Sequence, residues 1–287
     1  VSYDTHAQFK VSLCMINSVA SLWLGPKPSF LERLTVQSYL DAGHEFILYS
    51  DLPAADLPQG VDLRHPHDVA PEVPLPGTGS ERHQLAVYSD IFRLRMLQHG
   101  IGPWVDMDAY CLRPFDFSDP HIFGYSERGM VLNGVVGLPK NSPVLRYLLE
   151  QMTSRNPIPA WLNAKQMGHV QAWRQSGRDW TIYDFAWGIS GPRALHAALE
   201  RFDLLDKAQK WTVFYPSLYD HFSALFLPGP RIDALEHPDT RSIHFIGKCR
   251  ELLGTLDGGV PPKTSYLEYL CDRHGIDPAQ YPVRTDA

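Results

Sequence analysis

The sequence predicts an α/β protein: a Rossmann-like mixed sheet flanked by helices, folded as one large domain. Three observations carry that expectation. Within the first fifty or so residues an apolar run, a capped helix and a second apolar run follow one another, the order of a βαβ unit on a parallel sheet. A further strong helix then leads into a short apolar run that ends on two carboxylates, "WVDMD". Finally, 287 residues with 44% hydrophobic and 20% charged side chains can bury a large core, and no repeat or shift in composition marks a linker.

The elements follow in order. "VASLWLG", residues 19–25, reads as the first strand, ending in a turn. The helix after it opens at Ser29, with Glu32 three residues on forming a capping box. Leu31, Leu34, Tyr39 and Leu40 supply its apolar positions, and Gly43 stops it. "EFILYSD", residues 45–51, is the second strand. The Pro- and Gly-rich stretch 52–80 reads as loop with a short strand near 61–63. "ERHQLAVYSDIFRLRMLQHG" is the clearest helix, closed by Gly100. "RGMVLNGVVGLP" reads as a strand or hairpin, and "SPVLRYLLEQMTSR" as a helix capped by Ser142. Residues 156–171 carry little pattern. "DWTIYDFAWGISGP" is a loop that enters a helix at Pro192.

Asp106 and Asp108 pose the chemical question. As neighbours but one on a strand they share a face, and their like charges repel. Such a cluster near a core calls for a positive group between them. A hard divalent cation, Mg²⁺ or Mn²⁺, takes carboxylate and water oxygens, and can bridge them to a diphosphate. In an open α/β sheet, ligands bind beyond the carboxyl ends of the strands. Trp23, Gly25, Asp51, Asp106 and Asp108 all fall near such ends and could line one crevice. The other reading of a D-x-D pair is a solvated turn.

The net charge of −6 argues against a nucleic-acid surface but leaves room for a local phosphate site. No run reaches the roughly 18 apolar residues of a membrane span, and no leader is evident, so a cytoplasmic protein is expected, free or peripheral to the inner membrane face. Cys14, Cys111, Cys249 and Cys271 lack the spacing of a zinc site or a disulfide framework and read as small buried hydrophobes in a reduced protein. Nothing in the sequence sets an oligomeric state.

The segment "YSDIFRLRMLQHGIGPWVDMDAYCLRPF" resembles the core of the glycosyltransferases with a DXD sugar-binding region. The nearest group is the family 32-like, α-1,4-galactosyltransferase-like enzymes and their bacterial polysaccharide relatives. The pattern S-D-x-x-R, L-x-x-x-G, apolar-D-x-D, L-R-P is met by Ser89, Asp90, Arg93, Leu97, Asp106, Asp108, Leu112, Arg113 and Pro114. It departs at "GIGPWVD", where a Gly-Gly and an aromatic are usual. The opening "SVASLWLGPKPSFLERLTVQSYLDAGHEFILYSD" is similar to the family opening, so the matches cover about the first half of the chain.

The resemblance implies a GT-A-like fold. Residues 1–140 would be the nucleotide-sugar half with the DXD motif, and residues 141–287 the acceptor-side half of the same domain. It implies a metal-dependent, retaining hexosyltransferase acting between a nucleoside-diphosphate sugar, a UDP-sugar first, and a glycan or lipid-linked acceptor. Asp106 and Asp108 would hold Mn²⁺ or Mg²⁺ as the centre of catalysis. Ser89, Asp90 and Arg93 would contact the donor; a surface ion pair is the other reading of the last two. Trp23 and Leu24 would sit by the base, and Asp51 by base or ribose. "LNGVVG" is similar to an N-x-G-V stretch beside the donor sugar, with Asn133 the contact, although Gly134 follows it directly. In "HFIGKCREL", His244 would complete the metal shell and Lys248 meet the diphosphate. Asp184, in an aromatic and Gly-rich setting, would orient the acceptor hydroxyl; a cap or loop Asp is its other reading. Two rival functions remain: a non-catalytic sugar-nucleotide or glycan-binding relative, and a metal-dependent phosphatase of the haloacid-dehalogenase type. The second has Tyr110 where that motif carries Thr or Val.

Overall fold

A computed structural model describes residues 16–73 and 82–284. Cys14 and most of the loop after residue 73 lie outside the described residues. Strand β1 (Ser18–Trp23), helix α1 (Phe30–Asp41) and strand β2 (Glu45–Ser50) form the expected βαβ unit. The Ser29 side chain accepts from Leu31 N, and Glu32 reaches back to Ser29 N at 2.8 Å, so both parts of the capping box are made. Strand β3 (Asp62–Arg64) adds to the edge, and α2 (Arg82–His99) crosses to β4 (Trp104–Val105).

Strands β5 (Ala109–Cys111), β6 (Ile122–Tyr125) and β7 (Val131–Gly137) follow, then α3 (Pro143–Thr153), α4 (Ala164–Ser176), α5 (Pro192–Arg201) and α6 (Trp211–Phe214). The chain ends with β8 (Ser242–His244), α7 (Gly247–Thr255) and α8 (Tyr266–Arg273). The main sheet has the order β3-β2-β1-β4-β7-β6, and β5 and β8 form a separate pair. β3, β2, β1 and β4 run parallel, β7 runs antiparallel to β4, and β6 runs antiparallel to β7. This is the mixed, helix-flanked, Rossmann-like sheet of a GT-A-like fold.

Alternation along the strands divides the core. Ala20, Ile47, Tyr49, Trp104 and Val136 face one layer, packed on α2, α3 and α5. Val19, Phe46, Leu48, Val105 and Val135 face the other, packed on Val36 and Tyr39 of α1. A third apolar cluster joins Phe30, Leu31 and Leu34 to α7 and α8. β4 is only two residues long, but it sits where the sheet changes sense: Ala20 pairs with Trp104 in parallel, and Val136 pairs with Trp104 antiparallel. Its carboxyl end is a topological switch point, the usual ligand crevice of such sheets.

One expectation is corrected here. Asp106 and Asp108 do not alternate on a strand. Asp106 N donates to Gly134 O at 2.7 Å, the last bond to the sheet, and Ala109 N then donates to Asp106 O at 2.9 Å. That turn swings the chain into β5, which pairs with β8 rather than with the sheet. The carboxylates converge by turning around Met107. Cys111, Cys249 and Cys271 are buried and free, and burial pushes each thiol up, Cys249 to about 12. Among the described residues no helix is long and apolar enough to cross a membrane.

Candidate metal centre

The β5–β8 pair sets Ala109 opposite His244, which delivers the imidazole to the turn that carries the carboxylates. His244 Nε2 lies 2.9 Å from Asp108 Oδ1 and 3.8 Å from Asp106 Oδ2. One donor atom from each of the three residues falls within 4.8 Å of the other two, a group able to hold a metal ion. Two carboxylates and one imidazole are a donor set that suits Mn²⁺, since His is a better ligand for it than for Mg²⁺. His244 Nδ1 is buried without a hydrogen-bond partner among the described residues, and Ser217 Oγ donates to the His244 carbonyl. The Tyr215 ring lies 5.7 Å from the imidazole, while its hydroxyl accepts from Val135 N at 3.0 Å.

Charge explains the arrangement. Burial pushes the Asp108 carboxyl up, but the charge and hydrogen bond of His244, with Arg250 behind them, leave it below its ordinary value. Burial lowers His244, and Asp108 and Asp106 more than reverse that, so the imidazole is held above its ordinary value. Burial leaves Asp106 raised even though Arg93 and His244 oppose it. Arg93 on one side and the His244 imidazole on the other therefore face the two close carboxylates.

Arg93 is not a surface residue. It and Asp90 are each 8% exposed, which removes the reading as a solvated ion pair. Arg93 Nη1 lies 3.3 Å from Asp106 Oδ1, and Nη2 3.3 Å from Asp90 Oδ1. The guanidinium also donates to Asn133 O and to Ser89 Oγ, the latter at 3.1 Å, and packs over the Trp104 ring. Asp90 accepts from Asn133 Nδ2 at 2.8 Å and from Ser190 Oγ at 2.7 Å. Ser89, Asp90, Arg93 and Asn133 are thus joined to one another, whereas the resemblance expects each of them to contact the donor. Asp90, Arg93, Asn133 and Ser190 also line one small cavity with Gly191.

The remaining candidates stand further out. Trp23 is half-buried and donates from Nε1 to Pro26 O at 2.7 Å, Leu24 packs partly into the core, and Asp51 is exposed at the end of β2. Lys248 is exposed on α7, with Nζ 5.9 Å from the Phe222 ring. Arg250, two residues on, is the cation of α7 that acts on Asp108, and it forms an ion pair with buried Glu32. Asp184 is committed within its own turn: it accepts from Thr181 N at 2.8 Å and pairs with Arg178. It touches none of Asp106, Asp108 and His244, and the cap reading describes its contacts.

Sequence reasoning gave no role at the site to Trp104, Gly134, Ser190, Tyr215 or Arg250. Trp104 Nε1 donates to Asp106 Oδ1 at 2.7 Å, where its apolar setting signalled only a strand. A Cβ on Gly134 would stand 2.4 Å from His244 Cε1 and 3.0 Å from Asp106 Oδ2. The one available signal for that closeness is the glycine placed directly after Asn133. No protein-family model matches the chain, and no curated protein sequence matches it.

Proposed function

We propose that this protein is a metal-dependent glycosyltransferase of the DXD type. It moves a hexose from a nucleoside-diphosphate sugar, UDP first, onto a glycan or lipid-linked acceptor, in the cytoplasm or at its membrane face. One observation carries the reading: Asp106, Asp108 and His244 converge within 4.8 Å at the carboxyl end of β4, where the sheet changes sense.

Mn²⁺ or Mg²⁺ held there supplies the charge that a departing diphosphate needs. The chain's own residues supply the rest. His244 and the two carboxylates fix the ligand set. Arg93 holds Asp106 in place from behind, and Trp104 fixes the same oxygen. Arg250 adds positive charge beside Asp108, and Lys248 on the same helix meets the diphosphate as the resemblance implies. The bond from the anomeric carbon to the diphosphate oxygen breaks as the acceptor oxygen bonds to that carbon, and the acceptor proton leaves with the diphosphate. Attack and departure on one face retain configuration, and no enzyme nucleophile is required.

The test is a calorimetric titration of UDP, with and without Mn²⁺, on the wild type and on Asp106→Asn. Metal-dependent binding that the substitution abolishes, with the thermal midpoint kept, is the expected result. UDP binding indifferent to both metal and substitution overturns the reading. Release of phosphate from a simple phosphomonoester would replace it with the phosphatase. Tight UDP-sugar binding without hydrolysis or transfer would replace it with a binding module.

A further inference from the structure

Trp187 is 57% exposed, the most open of the large apolar side chains among the described residues. It is nevertheless held firmly. Phe185 and Ile189 on either side are buried, at 3% and 0% exposure. Phe185 packs edge-on against Trp173, with ring centres 5.3 Å apart. Ser190, next along, is tied to Asp90 at 2.7 Å. Gly188, with φ at +82°, makes the bend that lifts the indole clear of the core. The His83 ring lies 6.1 Å from Trp187 and is fixed by a 3.2 Å contact of its Nε2 with Tyr183 O.

Arg82 reaches from this indole toward the start of α7. Its guanidinium carbon is 5.6 Å from the Trp187 ring centre. Its Nη2 is 3.4 Å from the point that a Cβ on Gly247 would occupy. Gly247 lies three residues beyond His244, at the start of α7. Arg82 therefore spans from the Trp187 loop to the segment that carries the metal-binding histidine. Arg82, Ser89 and Arg93 share one face of α2, at i, i+7 and i+11. At about 1.5 Å per residue, Arg82 stands roughly 10 Å along the helix from Ser89 and about 16 Å from Arg93, the residue that pairs with Asp106.

We propose that Trp187 is a stacking platform for a distal sugar of the acceptor, so that the acceptor is an extended oligosaccharide rather than a single hexose. This rests on the glycosyltransferase reading above. An exposed indole pinned at both ends costs little entropy when a pyranose face packs on it, and its flat apolar face is matched by the C–H face of a sugar. A lone aromatic ringed by Arg82, His83 and a glycine bend is a sugar-sized contact, not the broad apolar patch of a protein or lipid interface. Arg82, exposed and beside the indole, has guanidinium donors that suit hydroxyls on the ring next in line. A hexose at the reacting centre falls short of Trp187; a few linked rings reach it.

The experiment measures binding of malto-, cello- and manno-oligosaccharides, from monosaccharide to hexasaccharide, to protein saturated with UDP and Mn²⁺. Tryptophan fluorescence and saturation-transfer NMR are the readouts, on wild type, Trp187→Ala and Trp187→Phe. Affinity that rises with chain length in the wild type is expected. It should fall about tenfold for the longer chains in Trp187→Ala, the weight of one aromatic contact, with most of it retained in Trp187→Phe. Equal affinity in Trp187→Ala, or affinity independent of length, overturns the proposal. So does a panel on which no glycan binds, because an aromatic platform tolerates any pyranose face. Quenching of Trp187 by lipid vesicles in place of glycans would assign the residue to a membrane. UDP binding in the same samples separates the two failures: if it holds while the glycans fail, only the distal site is lost, and if it fails, the glycosyltransferase reading goes too.

Discussion

Gly134 occupies a position where any side chain would collide with the candidate metal centre. A Cβ there meets His244 Cε1 at 2.4 Å, Nδ1 at 2.9 Å and Asp106 Oδ2 at 3.0 Å. The ring cannot simply swing away, because Tyr215 packs beside it and Ser217 holds its backbone. Gly134→Ala is therefore expected to weaken Mn²⁺ binding at least tenfold, read by electron paramagnetic resonance titration. Overpacking of this order costs about 1–3 kcal/mol, so the fold survives with a lowered thermal midpoint. Unchanged Mn²⁺ affinity would mean that the three donors do not act as one site. At this scale the sequence was informative wherever chemistry is written in residue type. Asp106 and Asp108 were legible as a close acidic pair from their spacing, and His244 entered as a third member of the group only through the resemblance. The commitment of Asp184 to its own turn was not, since a capping carboxylate and an acceptor-facing one look alike in one dimension. Nor was the ion pair of Arg250 with Glu32 beside Asp108, which joins residues 218 apart in sequence.

Glu32 shows how elements cooperate around the site. It closes the capping box of α1 and is 1% exposed, and burial raises its carboxyl above the ordinary value although Arg250 opposes this. Arg250 of α7 is its ion partner, with 38% of its own side chain exposed. Two helices distant in sequence are thus joined by one charge pair, beside Asp108. Removing the partners is not symmetric. Arg250→Ala leaves a buried carboxylate unpaired, whereas Glu32→Gln keeps a side chain that can still complete the capping box. Urea unfolding should show a loss of about 1–3 kcal/mol for Arg250→Ala, discounted from the fully buried case for its exposure, and a smaller loss for Glu32→Gln. A larger loss in Glu32→Gln would mean that the cap, not the pair, holds the two helices. The cap itself was readable from Ser29 and Glu32. By contrast α4 was not: its buried positions are Gln166 and Val170, so no apolar stripe marks the helix. β4 was recognised as a strand, but its two residues gave no warning that the chain leaves the sheet at Asp106.

On the scale of the whole molecule, the second half of the chain must return to the first to complete the site, and a second contact fastens that return. Asp41 at the end of α1 accepts from His274 Nδ1 at 2.6 Å across 233 residues of sequence, and His274 Nε2 lies 2.8 Å from the Tyr110 hydroxyl on β5. The expected βαβ start carried no trace of this closure, because neither periodicity nor motif connects positions so far apart. Its consequence is a pH dependence with a definite sign. Burial pushes Asp41 up, but bonds from His274 and Gln37 outweigh it and leave the carboxyl below its ordinary value of 3.8. As pH falls through that value the unfolded chain takes up the proton before the folded one does. The stability from Asp41 is therefore present above it and lost progressively below it. With the Asp41 side chain 46% exposed, solvent screening keeps the effect under about 1 kcal/mol. Urea unfolding of wild type and Asp41→Asn should give a gap at about pH 5 that narrows by about pH 3, since protonation then removes from the wild type what the amide already lacks. Parallel losses in the two proteins across that range would show that the clamp does not titrate through Asp41, and that other carboxylates govern acid unfolding.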